Sequence, residues 1–170
     1  MRSPRFLLAI VVWGGIFSLL FLLPGCDGFR GFFGDKPKSF QFPEDHARFE
    51  RIVNAIESLR QAYVGKDVDE LRGLMLPLDV LQRLQVEIEK DFNVYAEIDL
   101  KFAIERMAIK GGRAMVNVRW EGEWKRQTAE LVGLTGQGHG VLIWSGKQVI
   151  LLAAVDGDLP FGMATRESLS

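Results

Sequence analysis

VYAEIDLKFAIERMAIKGGRAMVNVRW, residues 94–120, decides the fold. Ala96, Ile98, Leu100, Phe102 and Ile104 fall on one face, with Glu97, Asp99, Lys101 and Glu105 interleaved between and after them. A period of two with one apolar and one polar face predicts a long antiparallel strand, wet on one side. Met107 and Ile109 invert the phase, which predicts a bulge near Glu105 and Arg106. Gly111-Gly112 predicts a tight hairpin turn. Ala114, Val116, Val118 and Trp120 then supply the inner face of the returning strand, with Asn117, Arg119 and Glu121 outside.

Downstream, strand signals recur over 128–134 and 141–144, with Gly133, Gly136, Gly138 and Gly140 softening the middle. Ser145-Gly146-Lys147 reads as a turn. The continuously apolar run 149–155 reads as a last strand at the centre of the sheet, covered on one side by helices. Upstream the period is helical. Pro43, Glu44 and Asp45 suit a first turn, and Phe49, Ile52, Ile56, Leu59 and Tyr63 recur at spacings of three and four. Gly65 is placed to end that helix in a left-handed conformation. Asp67, with Glu70 three residues on, starts a short second helix that Pro77 ends. Asp79 is placed to cap a third helix, whose face is Leu81, Leu84, Ile88 and Phe92. The fold class is therefore α+β: three N-terminal helices packed on a strongly curved antiparallel sheet. The domain is expected over 43–162, with a disordered tail at 163–170.

The order of these elements, with Tyr63-Val64-Gly65-Lys66-Asp67, Gly112-Arg113-Ala114-Met115-Val116 and Gly157-Asp158-Leu159-Pro160-Phe161-Gly162, resembles the nuclear-transport-factor-2-like superfamily, or cystatin-like cone. The resemblance implies a sheet wrapped around the helices, often leaving a conical pocket. The superfamily holds isomerases, cyclases and dehydratases beside binding and assembly modules without a reaction, so fold alone does not give function. Its isomerases place a catalytic tyrosine two turns before the aspartate that matches Asp67. Leu59 stands at that position, and leucine has no proton to donate.

The N-terminus reads as an address. Arg2 and Arg5 precede 18 uncharged residues, Phe6 to Leu23, and Pro24, Gly25 and Cys26 follow, giving the stretch Leu23-Pro24-Gly25-Cys26. This is an export-signal pattern. The last four residues resemble the bacterial lipoprotein lipobox, in which the cysteine receives lipid; Leu23 and Gly25 fit it and Pro24 departs from it. Residues 1–25 are then the signal peptide, or an uncleaved membrane anchor, and 26–42 a tether starting at a lipidated Cys26. A buried structural cysteine is the remaining reading. Five phenylalanines in the tether, Phe29, Phe32, Phe33, Phe40 and Phe42, either rest in the membrane interface or fold back on the domain. The expected location is the bacterial cell envelope, the domain facing the periplasm or exterior. Beyond the first 25 residues, acidic side chains outnumber basic ones, which argues against nucleic acid as partner. One cysteine allows no intramolecular disulfide.

The chemistry-bearing residues are few. Two histidines, His46 and His139, stand far apart with no metal-ligand spacing, so neither a metal nor a cofactor is expected. His139 lies in Gly136-Gln137-Gly138-His139-Gly140 and reads as a solvated strand or turn residue. Tyr63 belongs to an apolar stripe. Trp120, Trp124 and Trp144 offer large apolar area for a core, a pocket or an interface. Glu97, Asp99 and Glu105 fall on the wet face of their strand. These observations set out no catalytic residue. The expectation is an anchored binding or envelope-assembly module. It would take a protein partner or a small apolar ligand through Tyr63, Trp120, Trp124, His139 or Trp144, or form a homodimer. A pocket enzyme of the isomerase, cyclase or dehydratase kind is the alternative.

Overall fold

The computed structural model describes residues 43–169. The signal segment, Cys26 and the tether lie outside the described residues. Three helices, α1 (Pro43–Val64), α2 (Val68–Gly73) and α3 (Asp79–Val94), precede four strands and a short terminal helix. The strands β1 (Glu97–Lys110), β2 (Arg113–Lys125), β3 (Leu134–Ser145) and β4 (Leu151–Gly157) form one antiparallel sheet in sequence order. Helix α4 spans Met163–Glu167. The architecture is α+β, with the helices packed on the concave face of a curved sheet.

The β1–β2 hairpin follows the alternation of its sequence. Ile98 and Leu100 are buried while Asp99 and Lys101 are exposed. The register slips between Ile104 and Arg106, so Glu105 is the extra residue of a bulge and Met107 regains the inner face opposite Val116. Gly111 turns the chain with φ +56°, a conformation that costs glycine nothing. On α1, Ile52, Leu59 and Tyr63 are fully buried, and Ala55, Ile56 and Ala62 nearly so.

Four local expectations need correction. The left-handed residue after α1 is Lys66, φ 57°, and not Gly65. The Asp67 amide donates to the Ala62 carbonyl and the Lys66 amide to that of Tyr63, closing a Schellman motif. The Lys66 ammonium offsets the backbone strain by donating to the Tyr95 and Ala96 carbonyls. Asp67 does cap α2, accepting from the Glu70 amide at 2.9 Å, but Leu78 and not Asp79 is the N-cap of α3. Residues 128–133 are a loop, and β3 is one uninterrupted strand through its glycines. The last strand is an edge. Its free side is closed by backbone bonds from 74–76: Leu76 donates to the Leu152 carbonyl, and Leu152 donates to that of Leu74. That cover lets an apolar strand sit at an edge without exposing its ladder.

Candidate functional site

The cone interior is where a site of this architecture would lie, so its contents decide the matter. Gly122 on β2 and Gly136, Gly138 and Gly140 on β3 all point to the concave face, because they share the phase of Trp120 and Trp124. A methyl group on Gly122 would meet the Trp124 ring at 2.5 Å, and one on Gly138 would meet the Trp120 ring at 2.9 Å. The glycines are thus a bed for two indoles, which pack edge to face with centroids 6.1 Å apart. A methyl on Gly140 would strike Leu159 at 2.4 Å. The chain after β4 folds back over the same bed.

That returning segment, residues 158–163, fills the space between α1, α3 and the sheet. Leu159, Phe161 and Met163 are buried against the core. The Asp158 carbonyl accepts from Trp120 Nε1 at 2.9 Å, and its amide donates to the His139 carbonyl at 3.0 Å. Phe161 packs edge-on against Tyr63, centroids 5.0 Å apart. Residues 163–167, expected to be disordered, are helix α4. The helix is held by Arg166 to Asp158 at 2.6 Å and by Tyr95 to Glu167 at 2.9 Å.

At the bottom of the cone stands a residue the sequence reading passed over. Asp91 on α3 is fully buried. Its carboxylate accepts from the Tyr63 hydroxyl at 2.8 Å, the Gly162 amide at 2.7 Å and the Ala164 amide at 2.7 Å. Gly162 is the N-cap of α4 and has no side chain to do the capping, so Asp91 caps that helix from another one. Trp124 Nε1 donates to the Tyr63 oxygen at 2.9 Å, and the Pro160 carbonyl lies 3.0 Å from it. Burial, then the neighbouring Asp91 charge, pushes the Tyr63 phenol well above its ordinary range, so it stays protonated. The signal for Asp91 was present: it lies three residues after Ile88 and seven after Leu84, on the buried stripe of α3.

The other candidates separate. Trp120, Trp124 and Trp144 are buried to 2% exposure or less and belong to the core. Tyr63 is a core residue whose hydroxyl donates to Asp91 and accepts from Trp124. His139 lies on the outer face of β3, exposed, its Nδ1 3.2 Å from Glu105. His46 is exposed on α1 beside Glu50. Glu97 and Asp99 are exposed, as their phase predicts. Among the described residues, no group of three or more His, Cys, Asp or Glu could hold a metal. Outside the cone, a shallow groove of about 400 Å³ runs between α2 and α3 over Met75, Leu76, Pro77, Leu81 and Val86.

The helices-then-sheet order, the bent four-stranded sheet and the space under it match solved structures. A protein from Kribbella flavida superposes with a TM-score of 0.57 at 12% identity, over 66% of this chain and 90% of its own. An NTF2-like superfamily protein from Salmonella enterica serovar Typhimurium gives 0.55 at 13%, over 68% and 93%. This is the nuclear-transport-factor-2-like fold. An NTF2-like protein from Streptomyces avermitilis, described as a candidate dehydratase, gives 0.52 at 11%, over 67% and 99%. No family model matches the sequence, and no curated protein matches it significantly. In this NTF2-like domain the space under the sheet is taken by the domain's own residues.

Proposed function

We propose that this chain is a membrane-tethered, extracytoplasmic binding or assembly module that catalyses no reaction. The observation that carries the reading is the filled cone. Its two convergent polar groups, Tyr63 and Asp91, resemble an acid–base pair, but both are fully buried and hydrogen-bonded to each other, to Trp124 and to the backbone of 160–164. A general base needs a free lone pair within reach of a substrate proton, and none faces open space here. Binding then falls to the surface, and the tether supplies location. Support for the tether comes from the sequence of residues 1–26.

The Trp120 and Trp124 indoles form the floor of the cone, so their fluorescence reports any occupant. Titration of the purified chain with cyclic ketones and other small apolar ligands should leave their emission unchanged. A saturable change, reduced by Tyr63→Phe with folding intact, would overturn the reading in favour of a pocket enzyme or carrier.

A further inference from the structure

The two loops at one end of the sheet gather unpaired cations around the point where the tether joins the domain. Arg48 donates to the Gly111 carbonyl at 2.5 Å and the Gly146 carbonyl at 2.9 Å, and Arg51 donates to the Lys147 carbonyl at 3.1 Å. The Gly146 amide donates to the Gly112 carbonyl at 2.9 Å. These bonds pin the first turns of α1, the β1–β2 turn and the β3–β4 loop together. Lys110 and Arg113 stand directly opposite each other across the turn, both exposed, and Lys147 follows on the neighbouring loop.

Among the described residues, none of Arg48, Arg51, Lys110, Arg113 and Lys147 has a carboxylate within 4 Å. Seven described cations elsewhere do, Arg60, Arg126 and Arg166 among them; Lys66, Arg83, Lys101 and Arg106 do not, so what marks this end is that five such cations are gathered on two loops and the first turns of one helix. Like charges directly opposite on paired strands weaken a hairpin. The arrangement is unfavourable for folding and suited to an external anion. Val149, 70% exposed, adds an apolar tip beside Lys147. The first turns of α1 also carry three exposed acids, Glu44, Asp45 and Glu50, the last beside His46. The β2–β3 loop lies at the far end of the 13-residue strand β2, roughly 40 Å away.

We propose that this end docks on an anionic phospholipid surface. Lys110, Arg113, Lys147 and Arg51 would meet headgroup phosphates, and Val149 the interface. The proposal rests on the tethered reading, because α1 begins at Pro43, directly after the tether, and Arg48 and Arg51 bring both loops to its first turns. Docking would fix which way the domain faces: the basic end toward the bilayer, the outer face of the sheet and the 126–133 loop away from it.

The test uses the full chain with its native N-terminus, reconstituted in phosphatidylcholine vesicles with or without about 30% phosphatidylglycerol. Cys26 carries lipid in the tethered chain, so Val149→Cys gives one thiol for a fluorophore, and Leu131→Cys, 95% exposed, is the distal control. Shallow brominated lipid should quench the Val149 label in anionic vesicles only, and 1 M salt should abolish that quenching by screening it to about 3 Å. Lys110→Gln, Arg113→Gln and Lys147→Gln together should lower the docked-to-free ratio on the order of 100-fold, about fivefold per charge. The Leu131 label should stay unquenched. Flotation tests the tether separately. A chain that floats with both vesicle types while its Val149 label is unquenched, or equally quenched in both, overturns the docking and leaves the tether standing. A chain that does not float overturns both.

Discussion

Replacing Asp91 by asparagine keeps the shape of the side chain and removes its charge. One carboxylate oxygen serves Tyr63 and Gly162, and the other serves Ala164. However the amide is turned, its NH2 group faces at least one backbone N–H that needs an acceptor. Losing one charge-assisted bond and weakening the other two costs about 3–4 kcal/mol. The lost charge was buried without a cation, so relief of its desolvation offsets about 1 kcal/mol of that. The expected net loss is about 2–3 kcal/mol, or a fall in Tm of about 8–12 °C for a domain of this size. Asp91→Ala strands both amides and should cost more, about 4–5 kcal/mol. Thermal unfolding followed by tryptophan emission suits the case, because Trp124 donates to the same tyrosine oxygen. An asparagine variant melting with the parent, or below the alanine variant, would refute the claim that this carboxylate holds the terminal segment in place.

Three further outcomes follow from the same geometry and sequence. Gly140→Ala would drive a methyl group into Leu159 at 2.4 Å and toward the Asp158 carbonyl at 2.8 Å, so it should destabilise by about 2–3 kcal/mol and expose Arg166 to trypsin; unchanged digestion would contradict the packing. Hydrogen bonds from Arg60, Lys90 and Tyr95 hold the carboxyls of Glu57, Glu87 and Glu167, respectively, below their ordinary value of 4.5. Depressed folded values make their stabilisation complete above about pH 4.5 and lose it as pH falls through those values, so Tm should decline on acidification there; a rise in Tm would reverse the sign. Cys26→Ser should abolish fatty-acid labelling and leave a slower-migrating precursor, and equal labelling of mutant and parent would remove the lipid anchor.

Most of the fold could be read from periodicity, because burial on one face imposes it directly. The β1 alternation, its inversion at Glu105 and the α1 stripe from Ile52 to Tyr63 each follow from which side chains the core accepts. The misreadings fall where tertiary contacts outweigh local preference. Lys66 takes the left-handed position because its ammonium finds two carbonyls from a distant segment. The last strand is apolar without being central, since the segment 74–76 bonds its edge. The stretch Gly136-Gln137-Gly138-His139-Gly140 reads as a weak strand by propensity. Its spacing of two is nonetheless strand spacing, and glycine is required there because indole rings and Leu159 occupy the volume of a side chain.

The candidate site was less legible because its meaning depends on what lies opposite. An aspartate on the apolar stripe of α3 announces a buried carboxylate, and a buried carboxylate near a tyrosine is what an acid–base site would also require. Only the position of residues 160–164 separates the two readings, and those residues follow Asp91 by about seventy positions. Their closing of the cone shifts attention to the exterior, where charge is unevenly used. Arg60, Arg72 and Lys90 on the helices and Arg126 at the far end find carboxylates, whereas among the described residues the cations around Gly111 and Gly146 find only carbonyls or nothing. The buried Tyr63–Asp91 pair is used in closing the cone and the cations around Gly111 and Gly146 meet no carboxylate among the described residues, and on these two observations the proposed docking on an anionic surface rests.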